Sequence, residues 1–295
     1  MDSFSLGTHT VGRVGFGAMQ LPGPGVFGPP RDHDQAIAVL KRAIELGINH
    51  IDTAQFYGPR VSNELIREAL HPYPEDLALV SKVGARRDDA GNWTPAQQPD
   101  ELRADIEENL ATLGVDRLAA VNLRIHSGDP SSVGPVHREL FDRQLTAMIA
   151  ARDEGLIEGI GLSSISEEHL RIALDRTDIV TVQNAYNLVD RSAQPVLDLC
   201  TERGISFVPF FPLGSAFTAD NPVLGHPAVR REAQKLDRTP AQIALAWTLT
   251  VAPNVLLIPG TSSVAHLEEN TAVRDIELDE ETKRELDAAA STGAA

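Results

Sequence analysis

The chain has 295 residues and a formal net charge of −16 at pH 7. Such an acidic surface repels phosphate backbones and anionic bilayers, so we expect neither nucleic-acid binding nor a polybasic membrane-surface role. The single cysteine, Cys200, excludes a disulfide within the chain, and its apolar surroundings predict a buried, inert thiol. The first 17 residues lack the pattern of a secretory signal, and no apolar run approaches the roughly 20 residues of a membrane span, so we expect a cytoplasmic protein.

Short apolar segments alternate with amphipathic helical patterns along the whole chain. The predicted strands are residues 13–19, 49–51, 77–83, 119–125, 157–162, 179–182, 205–209 and 255–258. The predicted helices are residues 34–46, 62–70, 99–113, 138–154, 166–174, 193–203, 239–251 and 264–272. A hairpin over residues 4–11 precedes this series, and a helix over residues 279–290 follows it.

Eight strands, each followed by a helix, predict an α/β fold of the (β/α)8 TIM-barrel type, with an N-terminal β-hairpin and a C-terminal helix. We expect one domain over residues 1–295, because no segment has the composition of a linker. A doubly wound open sheet remains the alternative, since alternation alone does not determine closure. The Gly/Pro-rich stretch 21–30 lies between a strand and a helix and is predicted to be a loop at the site.

Four polar residues follow neighbouring predicted strands and are expected to meet at the carboxyl-terminal rim of the barrel: Asp52, Tyr57, Lys82 and His126. A phenol has a pKa of about 10 and is a poor acid at neutral pH, but a neighbouring ammonium lowers that pKa. Lys82 can supply this charge, Asp52 can hold Lys82 protonated, and His126 can orient a substrate oxygen. The four together predict a proton donor facing a carbonyl oxygen.

The ordered motifs around these residues resemble those of the aldo-keto reductases. They are His50-Ile51-Asp52-Thr53-Ala54, Tyr57-Gly58, Ser81-Lys82-Val83-Gly84 and a strand ending in His126. The resemblance covers essentially the whole chain and implies a barrel that binds NADP(H) without a Rossmann domain. Consistently, the chain has no G-x-G-x-x-G sequence. By this resemblance Tyr57 is the general acid, and Asp52, Lys82 and His126 complete a catalytic tetrad.

The resemblance also implies a set of cofactor-binding residues. They are Gly17, Ala18, Met19, Asp52, Ser163, Ser164, Gln183, Phe210, Phe211, Pro212, Leu213, Gly214, Ser215, Gly260, Thr261, Ser262, His266, Glu269 and Asn270. In this set Ser163 and Gln183 match residues that hydrogen-bond the nicotinamide carboxamide, and Phe210 matches a ring that stacks on it. The family often has Ser-Asn after the fifth strand, where this chain has Ser163-Ser164.

The segment after the eighth predicted strand is a glycine turn that opens a helix, and its N–H groups and hydroxyls suit a phosphate. Many family members place Lys and Arg around the adenosine 2′-phosphate, whereas this chain has Gly260 and His266 in those positions. Thr261, Ser262 and His266 can bind a phosphate, so we expect NADP(H). The missing basic residues keep NAD(H) open as the alternative.

Within the family, residues 17–30, 207–214 and 259–270 resemble bacterial pyridoxal reductases. This resemblance implies a small-molecule carbonyl substrate and suggests the reduction of pyridoxal to pyridoxine. Phe27, Phe56 and Trp93 lie in loops at the predicted mouth and are expected to line the substrate pocket, although core packing explains Phe56 equally well.

Two other functions fit the sequence. A barrel aldolase would use Lys82 as a Schiff-base amine, but Asp52 beside it favours the charged, non-nucleophilic form. A redox-sensing or regulatory subunit would bind the cofactor with little turnover. The sequence indicates neither an oligomeric state nor a dedicated partner-binding segment.

Overall fold

The computed structural model describes residues 3–125, 135–214 and 221–289, and the strands of this part form three sheets. In chain order they are β1 Ser3–Leu6, β2 His9–Gly12, β3 Phe16–Gly17, β4 His50–Asp52, β5 Ala78–Val83, β6 Ala85–Arg87, β7 Trp93–Pro95, β8 Leu118–Arg124, β9 Ile157–Ser163, β10 Thr181–Ala185 and β11 Ser206–Phe210. Strands β1 and β2 form the predicted hairpin around Gly7, whose φ of 61° favours glycine.

The main sheet contains seven parallel strands in the order β11-β10-β9-β8-β5-β4-β3. It closes through residues 255–257, where Val255 bridges Phe207 of β11 and Leu257 bridges Val14 just before β3, both in the parallel direction. This segment occupies the eighth strand position. The prediction of a (β/α)8 barrel is therefore confirmed, and the open doubly wound alternative is excluded.

Helices surround the barrel in nearly the predicted positions. They are α1 His33–Glu45, α2 Val61–Leu70, α3 Pro99–Leu113, α4 Arg138–Asp153, α5 Glu167–Leu174, α6 Gln194–Arg203, α7 Pro227–Lys235, α8 Pro240–Thr250, α9 Val264–Thr271 and α10 Glu280–Asp287. The start of α8 shows why these boundaries are readable: the Gln242 N–H donates to Thr239 Oγ1 at 3.2 Å, and Pro240 occupies the first turn. Among the described residues, no helix combines the length and apolar content of a membrane span.

Three elements differ from the sequence-based expectations. The first barrel strand is only two residues long, because the chain enters a 3₁₀ turn at Ala18–Gln20. The antiparallel pair β6–β7 and the helix α7 were not predicted. Helix α7 is polar overall and buries only small apolar side chains, Ala228, Val229 and Ala233. Strands β6 and β7 are three residues each, which is too short to show a hydrophobic period.

Alternation along the strands separates the site from the outer core. In β5, Lys82 points into the barrel, whereas Ser81 points outward and donates to Asn109 of α3 at 2.6 Å. At the amino-terminal end of the barrel, Leu6 and Val11 of the hairpin pack with Ala78 and neighbouring apolar residues. That end is closed by apolar packing, and the opposite end is open to ligands.

Candidate active site

Three of the four predicted tetrad residues meet at the carboxyl-terminal end of the barrel. Asp52 ends β4, Lys82 lies near the end of β5, and Tyr57 lies in the loop after β4; each is at most 5 % exposed. The Lys82 ammonium donates to Asp52 Oδ1 and, at 3.2 Å, to the Thr53 carbonyl oxygen. It lies 5.0 Å from the centroid of the Tyr57 ring. The fourth predicted member, His126, lies outside the described residues.

Lys82 remains charged in this environment. Burial lowers its pKa, but the attraction of Asp52 and Tyr57 outweighs burial, and the net pKa of Lys82 is raised above its ordinary value. A lysine that forms a Schiff base needs a neutral amine near pH 7. The geometry therefore disfavours the aldolase interpretation and supports an ammonium that acts through its charge.

The Gln183 side chain connects β10 to this ion pair. Its Nε2 donates to Asp52 Oδ2 at 2.6 Å, so the Asp52 carboxylate is held by an ammonium on one oxygen and by an amide on the other. The Gln183 Oε1 atom is buried and accepts no hydrogen bond from the described residues. The Gln183 amide nitrogen therefore donates to the protein, whereas its oxygen can accept a hydrogen bond from a ligand.

The turn after β9 holds a second buried polar atom of this kind. Ser164 has a φ of 57°, which is uncommon for a residue other than glycine, and its Oγ has no hydrogen-bond partner among the described residues. The turn is held by backbone and amide contacts: the Ser164 N–H donates to the Gln183 carbonyl at 2.9 Å, and Asn184 Nδ2 donates to the Ile165 carbonyl at 2.7 Å. The strained backbone is thus fixed by its neighbours on β10.

A cavity opens above these residues, and much of the predicted site lines it. The predicted residues in its wall are Gly17, Met19, Asp52, Tyr57, Lys82, Trp93, Ser163, Gln183, Phe210, Phe211, Pro212, Leu213, Gly214 and Gly260. Ser215 was predicted to extend this set but lies outside the described residues. Sequence reasoning missed several lining residues: Gln20, Arg124, Pro209, Ile258 and Pro259.

Two glycines bring the first and eighth strand positions together at the rim. A Cβ atom on Gly17 would lie 2.5 Å from the Ile258 carbonyl oxygen, and one on Gly260 would lie 2.5 Å from the Gly17 carbonyl oxygen. Neither position can take a larger side chain without displacing the backbone opposite. Both glycines line the cavity, so its wall at this point consists of closely packed backbone.

The other predicted cofactor residues lie outside the cavity wall. Ala18 is buried, and its carbonyl accepts from Ser62 Oγ at 2.9 Å. Beyond Gly260 the remaining predicted contacts lie at the start of α9 and on its surface. Thr261 and Asn270 are buried, whereas Ser262, His266 and Glu269 are exposed.

The three aromatic residues predicted for the substrate pocket form one connected group, but among the described lining residues only Trp93 is included. Phe56 is 1 % exposed and packs edge-on against both Tyr57 and Trp93, with centroid distances of 5.2 Å and 5.3 Å. Phe27 lies further out, where the Arg87 guanidinium is 5.4 Å from its ring. Phe56 therefore supports the cavity wall from behind.

Two titratable residues outside the cavity wall, His50 and Cys200, are buried. His50 lies inside the barrel, where burial lowers its pKa to about 4. Cys200 is buried as predicted, and burial raises the pKa of its thiol to about 12.

Comparison with known proteins agrees with this geometry. Residues 13–291 match the Aldo/keto reductase family. The chain is 47% identical over 286 residues to pyridoxine 4-dehydrogenase of Escherichia coli, with 97% of each chain covered. It is 40% identical over 284 residues to an uncharacterized oxidoreductase of Schizosaccharomyces pombe, covering 96% of this chain and 88% of the relative.

Among solved structures, an aldo/keto reductase from Klebsiella pneumoniae in complex with NADP and acetate superimposes with a TM-score of 0.78. It is 25% identical in sequence, and the match covers 97% of this chain and 94% of that one. Both the sequence relatives and the barrel thus lead to one assignment. The chain belongs to the aldo/keto reductase family.

Proposed function

We propose that this protein catalyses the NADPH-dependent reduction of an aldehyde, with pyridoxal as the substrate and Tyr57 as the general acid. The observation that carries the proposal is the buried Tyr57 beside the Lys82–Asp52 ion pair in the wall of one cavity. The E. coli relative named pyridoxine 4-dehydrogenase supports the choice of pyridoxal.

The residues present fit a nicotinamide cofactor. Gln183 Oε1 is a buried polar atom in the cavity wall that lacks a partner among the described residues, and it suits the N–H donor of a carboxamide. The backbone wall at Gly17 and Gly260 has no side chain that would obstruct a bound cofactor. The Klebsiella relative that was solved with NADP supports the same choice.

The phosphate end of this proposed site is built from hydroxyls and one imidazole. Ser263 caps α9, and its Oγ accepts from the His266 N–H at 3.4 Å. Ser262 and His266 are exposed beside this helix start, where an anion is favoured by the N–H groups and the helix dipole. We therefore propose NADPH rather than NADH as the cofactor. Comparing the affinities of the protein for NADPH and NADH tests this choice.

The protein residues would deliver a proton and stabilise charge. When bound, NADPH supplies the hydride that reduces the carbonyl carbon. Tyr57 Oη gives its proton to the carbonyl oxygen as negative charge develops there. The Lys82 ammonium, held charged by Asp52, stabilises the phenolate that remains on Tyr57. Trp93, Phe210 and Phe211 give the cavity apolar walls that suit a flat aromatic aldehyde.

The test is NADPH oxidation with pyridoxal and a panel of aldehydes, for the wild type and Tyr57→Phe. We expect Tyr57→Phe to lose about 10²- to 10⁴-fold in kcat with NADPH binding retained. Tyr73→Phe is the matched control, because the Tyr73 hydroxyl bonds the Leu113 carbonyl at 2.6 Å, far from the cavity wall. Folded wild-type protein that binds NADPH but reduces no aldehyde would contradict the proposal and favour a cofactor-binding sensor.

A further inference from the structure

Arg124 is a cationic residue that enters the cavity from β8. It is the last residue of the strand and lies in register with Ser163 of β9. Because side chains alternate along a strand, Arg124 shares its inward orientation with Asn122, which is in register with Lys82. Two residues of strand correspond to about 7 Å, so Arg124 lies one layer above Lys82, toward the mouth.

The guanidinium is embedded in the wall that also contains the proposed acid. It lies 5.6 Å from the centroid of the Trp93 ring. Burial lowers the pKa of Arg124 and the nearby Tyr57 phenol raises it, with burial dominant. The backbone at Arg124 is anchored as well, because its carbonyl accepts from Gln97 Nε2 at 2.9 Å.

The cavity is positively charged relative to the rest of the protein. Of the lining residues that the structure describes, Lys82 and Arg124 are cationic and Asp52 is the carboxylate. The chain as a whole has a net charge of −16. A low-dielectric wall with this bias favours an anionic group on the ligand.

We propose that Arg124 is a specificity-determining residue that binds an anionic oxygen adjacent to the substrate carbonyl, as in an aromatic ortho-hydroxy aldehyde. This inference rests on the proposed function and names the substrate feature that the same site selects. A guanidinium presents five N–H donors in a fixed planar arrangement, so it can contact groups of the cavity wall and donate to a ligand oxygen at the same time. Pyridoxal has such an oxygen, since its 3-hydroxyl is next to the aldehyde and is acidified by the pyridinium ring.

The position of the guanidinium agrees with this assignment. A substrate carbonyl oxygen bound at Tyr57 would lie near the layer of Lys82. The hydroxyl oxygen on the adjacent ring carbon would then lie toward the layer of Arg124. Trp93 borders both positions, because it contacts Phe56 behind Tyr57 on one side and the Arg124 guanidinium on the other. A flat ring in this part of the cavity can therefore present its two oxygens to the two groups.

The experiment compares kcat/KM for pyridoxal and 3-O-methylpyridoxal, and for 2-hydroxy- and 2-methoxybenzaldehyde, above the pH at which each free hydroxyl ionises. We expect the wild type to prefer each hydroxy aldehyde by about ten- to hundredfold, the value of a charge-assisted hydrogen bond. Arg124→Gln should reduce this ratio to near one, and Arg124→Lys should keep part of it. If the substitution only disturbed the structure, kcat/KM would fall by the same factor for both aldehydes of a pair.

Arg87→Gln is the matched control. Arg87 also stacks on Trp93, at 4.3 Å, but it is not among the described residues that line the cavity. In this variant kcat/KM should change by the same factor for both aldehydes of each pair. An unchanged ratio in Arg124→Gln, or a wild type without preference, would overturn the role of Arg124 while leaving carbonyl reduction intact. Wild-type protein that reduces none of the aldehydes would instead overturn the proposed function and this inference with it.

Discussion

The Gln183 amide donates a 2.6 Å hydrogen bond to Asp52 Oδ2, across 131 residues of sequence. Gln183 was predicted to bind the cofactor and Asp52 to serve the tetrad, and the structure joins the two roles in one contact. The amide orientation follows from this bond: Nε2 faces the carboxylate, which leaves Oε1 to face a ligand. Gln183, which we propose as a cofactor contact, and Lys82 therefore donate to the same carboxylate.

We expect Gln183→Met to weaken NADPH binding about tenfold or more and to lower kcat/KM. The substitution keeps a similar volume but removes both the donor to Asp52 and the available acceptor, and a hydrogen bond to a charged group contributes about 1.5–3 kcal/mol. Fluorescence titration of NADPH measures the affinity. Gln194→Met is the control, because Gln194 donates to the Asp198 carboxylate at 2.8 Å on the surface and should leave NADPH affinity unchanged. Equal affinities for the Gln183→Met variant and the wild type would contradict this role.

The Lys82–Asp52 pair should behave as a coupled unit in folding. Removing one partner leaves a buried charge without compensation, and we expect Asp52→Asn or Lys82→Met to lower the free energy of unfolding by about 3–5 kcal/mol each. The double variant should lose clearly less than the sum of the two. Urea unfolding of the four proteins measures the coupling, and strict additivity would be the contrary result.

An exposed ion pair provides the reference for this comparison of single and double variants. Arg103 and Glu107 lie 2.6 Å apart on α3, with side chains 40% and 56% exposed. Solvent screens such a pair, so Glu107→Gln should lower the free energy of unfolding by at most about 1 kcal/mol.

In the buried pair, Asp52→Asn should also lower the pKa of Lys82, since burial then acts without the opposing carboxylate.

The parts of this molecule that were predictable from sequence have strong local signals. Helix α3 was predicted with its observed bounds, because proline starts it and Gly114, with a φ of 70°, ends it. Asp52 and Lys82 were located because each lies at the carboxyl-terminal end of a short apolar segment, and the ends of parallel strands converge.

The unpredicted parts depend on contacts that local sequence does not specify. The partner of Gln183 was not predictable, since an amide can donate to many groups and its choice depends on which residue of β4 faces β10 across the barrel. Arg124 was overlooked because an arginine at a strand end is ordinary in sequence, and only the barrel register turns it toward the cavity. Helix α7 is polar overall and buries only small apolar side chains, and the β6–β7 pair is too short to show a hydrophobic period.

Gly15→Ala should destabilise the barrel by about 1–3 kcal/mol, because a Cβ at this position would overlap the His50 imidazole. Gly12→Ala is the control, since its added Cβ would meet only Asn49 Oδ1, at 3.9 Å. His50→Ser should recover part of the loss in the Gly15→Ala background by opening space. Thermal unfolding of the wild type and these three variants tests this, and a Gly15→Ala protein as stable as Gly12→Ala would refute the overlap.

The same His50 should make stability depend on pH. Burial lowers the pKa of His50 to about 4, whereas an imidazole in the unfolded chain titrates at about 6.5. Between these values the unfolded chain binds a proton that the native state does not, so the free energy of unfolding falls as the pH drops through this window. The slope reaches at most about 1.4 kcal/mol per pH unit for one histidine. His169, whose pKa burial also lowers to about 4, adds a second contribution.

Urea midpoints between pH 7 and pH 4.5 measure this dependence, and His50→Gln should give a shallower fall than the wild type. His33→Gln tests the sign. His33 is exposed, and its hydrogen bond to Glu68 raises its pKa, so it stabilises the native state below its unfolded pKa and loses that effect as the pH rises. Its removal should therefore make the fall on acidification slightly steeper. If His50→Gln retained the full wild-type slope, the acid sensitivity would have to come from other groups, with His169 the first to test.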